Sequence, residues 1–148
     1  MYADWHPLAL NLDIDRVRDM LGQWRLRSSA AGMLARAIAL AGARPHLVAG
    51  HDVVIPQYLG RLEFVSQLSD LATDVGVPFH EVVLLDSKDS SIRRGAGRAS
   101  DAELALMYDR LLSLIAARPS AAVVWTRAGR VSDAYRDFIA ALSRGATE

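Results

Sequence analysis

The sequence predicts an α/β fold, a three-layer sandwich on a mostly parallel sheet of about four strands. Three observations carry this. Four short apolar runs alternate with segments of helical period, a layout that favours parallel strands joined by crossover helices. One run, Glu81-Val82-Val83-Leu84-Leu85-Asp86, is apolar between its two acids, as in a strand covered on both faces. Neither an internal repeat nor a linker divides the 148 residues.

The elements follow in the order β-α-α-β-α-β-α-β-α. Leu8-Ala9-Leu10-Asn11-Leu12 leads into Asp13 and reads as a buried strand over residues 8–13. Asp15 is placed to cap a helix whose Val17, Met20, Leu21 and Trp24 follow the i, i+3, i+4, i+7 spacing. An alanine-rich helix over residues 29–48 is apolar nearly all round, which predicts packing on several sides, and Gly50 ends it. The second strand, near 52–56, stops at Pro56, which has no N–H for a ladder.

A helix over residues 60–74 carries Phe64, Leu68, Leu71 and Val75 on one stripe, closed by Gly76 and Pro78. The third strand, 81–86, is the clearest. A polar stretch over residues 87–100 follows, and Ser100 with Glu103 forms a capping box for a long helix. Its inward stripe is Leu104, Met107, Tyr108, Leu111, Leu114 and Ile115, with Pro119 beyond. After a fourth strand over 121–126, a last helix runs over 131–143 with Val131, Tyr135, Phe138 and Leu142 inward, and Gly145 is its stop.

Composition narrows the function classes. With 51% hydrophobic and 23% charged residues, the chain has the balance of one globular domain with its own core. Net charge is zero, so no global field draws nucleic acid or an anionic membrane, and neither is expected as a partner. Sixteen of the seventeen basic side chains are arginine. That bias fits a high-GC genome, and it also fits bidentate phosphate binding.

Cysteine is absent, which excludes disulfides, thiolate catalysis and cysteine-based zinc sites. His6, His46, His51 and His80 show no i, i+4 ligand spacing, and no serine lies in a G-x-S-x-G elbow. The N-terminus lacks the basic start and apolar run of a signal peptide, and Arg36 and Arg44 interrupt the longest apolar stretch. A soluble, cytoplasmic protein is therefore expected. Trp5, Trp24 and Trp125 are expected in the core or at its rim.

The chemistry centres on Asp13-Ile14-Asp15, followed by Arg16 and Arg18. Two carboxylates stand at the carboxyl end of a strand, the edge where open α/β sheets bind ligands. There a carboxylate can take a proton from a substrate hydroxyl or hold a magnesium-bound water. The alternative is structural, with Asp15 capping the helix and Asp13 paired to an arginine. Arg93, Arg94 and Arg98 likewise read either as a phosphate clamp or as a solvated basic loop.

Three segments, residues 10–24, 50–61 and 79–86, resemble P-loop kinases of the zeta-toxin-like and small-molecule-kinase group, often described as AAA-family ATPases. The resemblance covers nearly all 148 residues, from that fold's second strand to its last helix. It implies one P-loop NTPase-like domain over residues 1–148 that lacks the first strand, the G-x-x-x-x-G-K-[ST] loop and its helix. In such kinases the Asp-x-Asp pair binds the phosphate acceptor and supplies the base, a role that falls to Asp13 and Asp15. Arg18, Gln57, Tyr58 and Arg61 then line the substrate side, and Arg93, Arg94 and Arg98 match the lid. Thr126 and Arg130 follow the last strand, where the nucleotide base is held.

By the same resemblance the cofactors are ATP and Mg2+, with no metal-ligating residue assigned. The partners are a nucleotide and a small-molecule or nucleotide-sugar-like acceptor. The missing loop decides the expectation for activity. Losing one preorganised donor costs ~2.7–4 kcal/mol of transition-state stabilisation, and this loss takes the phosphate cradle, its lysine and its hydroxyl together. The expectation is a kinase-like domain that is inactive as it stands; the alternative is a non-catalytic nucleotide- or protein-binding module. The missing strand belongs between those at 52–56 and 81–86. Either these two pair directly, or another segment or a second copy fills the gap, since an open gap exposes two apolar edges.

Overall fold

The computed structural model describes residues 1–57, 62–97 and 99–144. They form two compact units, Met1–Phe79 and His80–Glu148.

In the first unit a one-turn helix α1 (Tyr2–Trp5) precedes strand β1 (Leu10–Asn11) and helix α2 (Ile14–Asp19). A short 3-10 helix, Trp24–Arg27, runs directly into helix α3 (Ser28–Val48), followed by β2 (Val53–Val54) and α4 (Leu62–Val75). β1 and β2 are parallel, with Leu10 opposite Val53 and Asn11 opposite Val54. The Leu10 N–H donates to Asp52 O at 2.8 Å and the Leu12 N–H to Val54 O at 2.9 Å, which extends the ladder at both ends.

Local chemistry keeps this ladder short. Leu8 sits in the left-handed region, φ 60°, where an apolar side chain is strained and no strand can continue. On the other side Asp13 already caps α2: its carboxylate accepts from the Asp15 N–H at 2.9 Å. Pro56 closes β2.

The core of this unit is Ile14, Val17, Ala35, Ala39 and Phe64, with Leu12, Leu40, Ile55 and Leu68 packed against it. α3 buries Ala31, Ala35, Ala39 and Ala43, one per turn. Met33, Leu34 and Ile38 are exposed, so α3 is buried on one face and not on several sides as its sequence predicts. Both long helices end on a glycine Schellman motif. For α3, the His51 N–H bonds to His46 O and the Gly50 N–H to Leu47 O; for α4, Val77 bonds to Ala72 and Gly76 to Thr73. Gly50 and Gly76 take φ of 82° and 76°, a conformation without Cβ cost only for glycine.

The second unit holds β3 (Val82–Leu85), α5 (Lys88–Gly95), α6 (Asp101–Ala116), β4 (Ala122–Trp125) and α7 (Val131–Arg144). β3 and β4 are parallel over four pairs, from Val82 opposite Ala122 to Leu85 opposite Trp125. Arg118 Nε pairs with Glu81 at 2.5 Å, which ties the segment after α6 to the start of β3. The capping box forms as read: the Glu103 N–H donates to Ser100 Oγ, and the Ser100 N–H to Glu103 Oε2 at 2.9 Å. Residues 88–95, within the polar stretch read as a lid, are helical, with Ser87 as N-cap. A Cβ at Gly95 would lie 2.6 Å from Leu104 Cδ2, so any other residue there would force the Leu104 side chain to shift.

The three-layer sandwich is overturned. The described strands form two separate two-stranded sheets, β1–β2 and β3–β4, and not one four-stranded sheet. Strands of two to four residues satisfy one neighbour each, and the direct pairing of the strands at 52–56 and 81–86 that the resemblance allows is not among the described ladders. Burial of the third strand on both faces fails too. Leu85 is buried but its partner Trp125 exposed, while Val124 is buried and its partner Leu84 exposed. Each side of the β3–β4 ladder is thus covered over one strand only. Trp5 is exposed, as are Met107 and Val131, which the helical spacing places on inward stripes.

Candidate functional site

In the first unit the parallel register fixes where the candidate residues leave the ladder. Asp13 follows β1 and Gln57 follows β2, so both lie beyond the carboxyl end of the same pair. Tyr58 and Arg61 lie outside the described residues.

Asp13 and Asp15 are both engaged. Asp13 caps α2 through the Asp15 N–H and lies 3.8 Å from Arg16 Nε. Asp15 pairs with Arg18 at 3.3 Å. The capping residue is therefore Asp13 and not Asp15, because α2 begins at Ile14, two residues before an Asp15 cap would start it. Both pairs join residues three apart on one helix face. The Asp13 side chain is 31% exposed and that of Asp15 69%, so either can be reached by a ligand. Arg18 also lies over the Trp24 ring, 4.2 Å from its centroid.

The second unit repeats the motif of a strand entering an aspartate. Asp86 follows β3 and is 7% exposed. Its Oδ1 accepts from the Ser87 N–H at 2.7 Å, and its Oδ2 lies 2.6 Å from Arg94. That second contact is a close ion pair without hydrogen-bond alignment, since Oδ2 has no hydrogen-bond partner. The Tyr108 hydroxyl donates to Asp86 O at 2.9 Å. Arg94 thus holds a buried carboxylate, and Arg93 donates to Ser90 Oγ at 3.0 Å. Arg98 lies outside the described residues.

The Thr126 hydroxyl donates to Leu85 O at 3.3 Å, bridging the carboxyl ends of the two paired strands. Arg130 pairs with Asp133 at 3.2 Å. Lys88, the one lysine of the chain, meets both oxygens of Asp109 at 2.7 and 2.8 Å. Among the described residues no three His, Asp or Glu side chains converge as metal ligands.

No family model, no curated protein and no solved structure matches this chain.

Two features escaped the sequence reading. Asp86 ends the clearest strand, the same signal that singled out Asp13, yet its burial depends on α5 folding back over it. The other is the turn after α2, where Trp24 takes a second guanidinium, Arg25 at 4.6 Å. Its sequence signal was an arginine next to a tryptophan at the end of an amphipathic stripe. No described helix is long and apolar enough to cross a membrane.

Proposed function

We propose that this chain is a non-catalytic module that binds a phosphorylated small molecule of the nucleotide class at the carboxyl end of the β1–β2 ladder. One observation carries the reading: Asp13 and Asp15 stand together beyond that edge, accessible, each already beside an arginine of the same helix. Guanidinium groups held this way offer planar donors to a phosphate, and the adjoining carboxylates accept from ligand hydroxyls. The resemblance to zeta-toxin-like kinases supports the ligand class.

We propose no phosphoryl transfer by these 148 residues themselves. The sequence has no G-x-x-x-x-G-K-[ST] loop, and its single lysine is committed to Asp109. Holding an acceptor without stabilising the phosphoryl group supplies only part of the barrier reduction.

Calorimetric titration with ATP, with and without Mg2+, tests the reading. Saturable heat that weakens in Asp15→Asn supports it. No heat at millimolar ATP removes it.

A further inference from the structure

The turn between α2 and the 3-10 helix forms a cleft that the reading so far does not use. Gln23 takes left-handed backbone, φ 52°, and residues 19–26 close round an open cleft of about 460 Å³. That volume is within the range of small-molecule sites, ~300–1,000 Å³. Two guanidiniums flank Trp24 there, and they differ in what else they touch. Arg18 is paired with Asp15, and its Nε is buried without a hydrogen-bond partner. Arg25 is exposed, has the indole as its partner, and meets no carboxylate among the described residues.

Asp19 and Arg25 are the one acid and the one base in the lining. The rest is apolar or neutral, and Met20 and Leu26 are 78% and 80% exposed. Large apolar side chains beside a guanidinium that forms no ion pair among the described residues suit a ligand that is anionic at one end and apolar or planar at the other. A guanidinium held over an indole by the cation–π attraction still has N–H donors to offer a ligand, because that attraction uses no hydrogen bond. Its orientation is set before the ligand arrives, which lowers the ordering cost of binding.

We infer that the cleft formed by residues 19–26 is the phosphate-gripping subsite for a nucleoside phosphate. Arg25 is its donor, and Met20 and Leu26 supply the apolar surface for the rest of the ligand. This deepens the proposed function and rests on it for the ligand class. Arg18 links the two places, since its guanidinium touches both Asp15 and the Trp24 ring.

The test uses the full chain, with ATP, pyrophosphate and adenosine as probes and both calorimetry and tryptophan fluorescence as readouts. Arg25→Ala should weaken ATP and pyrophosphate binding by about tenfold or more, the loss expected for a charge-assisted hydrogen bond, and leave any adenosine binding unchanged. Trp24→Phe should abolish the fluorescence response, because Trp5 and Trp125 lie outside the cleft. Arg25→Gln keeps the length of the side chain and should weaken ATP as Arg25→Ala does. A thermal melt coincident with the parent shows that either variant is folded. ATP binding that is unchanged in both Arg25 variants but lost in Asp15→Asn overturns the subsite and leaves the proposed function standing. Pyrophosphate binding that depends on Arg25 and ignores Asp15 upholds the subsite and defeats the β1–β2 edge as the ligand site. No binding of any probe at millimolar concentration ends both.

Discussion

The two units solve one local problem in opposite ways. Each sends a strand into an aspartate at the carboxyl end of a parallel pair, and each gives that aspartate an arginine. In the first unit the carboxylate stays accessible, caps a helix and meets its arginine loosely, at 3.8 Å. In the second, Asp86 is buried, and Arg94 lies against it at 2.6 Å. An exposed, loosely held ion pair contributes little to stability and is free to exchange its partner for a ligand. A buried carboxylate cannot give up its cation without a large desolvation cost. The same sequence signal therefore marks an accessible position, the proposed binding edge, in one unit and a structural one in the other.

The largest expected effect lies in the core of the first unit. Phe64→Ala removes the largest side chain of the first unit's core cluster and should cost ~3–5 kcal/mol, read as a lowered urea midpoint by circular dichroism. A loss under ~1 kcal/mol would mean that Phe64 is not packed as described.

Asp86→Ala comes next, at ~1–3 kcal/mol, because it leaves the Ser87 N–H without its acceptor. The penalty stays below that of a stranded buried charge, since Arg94 is more than half exposed and can turn to water. Asp15→Asn is the counterpart in the first unit and should change stability by less than ~0.5 kcal/mol. Equal losses at the two positions would erase the contrast between the units.

Between these falls Ser100→Ala, expected to cost ~1 kcal/mol as the loss of an N-cap. Hydrogen bonds from the Ser100 hydroxyl and backbone N–H hold the Glu103 carboxyl below its ordinary value of 4.5. A carboxylate with a depressed folded value adds stability above its unfolded value, and that stability is lost as pH falls through the folded one. The gap between Ser100→Ala and the parent should therefore narrow as pH drops below about 4.5. A gap independent of pH would show that the hydrogen bond from the Ser100 hydroxyl to the Glu103 carboxylate contributes nothing.

What the sequence made legible was mostly local. The capping box at Ser100, the glycine stops at Gly50 and Gly76, and the stripe bearing Phe64 and Leu71 depend on residues within a few positions of one another, and the structure has each of them. The pairing of strands was not legible. An apolar run predicts a strand but not its length, and a left-handed Leu8 and an Asp13 cap cut the first run to two residues. The polar stretch after Asp86 looked like a loop because its helix, 88–95, has no buried residue. The alanine-rich helix misled in the other direction: apolar side chains all round suggested burial all round, but alanine alone supplies the buried stripe. At the candidate site, sequence placed Asp13, Asp15 and Gln57 at one edge, while the burial that separates Asp86 from Asp13 comes from packing.

Phosphorus NMR of ATP mixed with the full chain tests the central claim, binding without transfer, in a single sample. Saturable shift or broadening of the ATP phosphate resonances, with no growth of ADP or inorganic phosphate over hours, is the predicted result. In Asp15→Asn the perturbation should shrink and the product signals stay absent. Steady growth of ADP that disappears in Asp15→Asn would contradict it, because these 148 residues would then carry out the transfer that the account denies them.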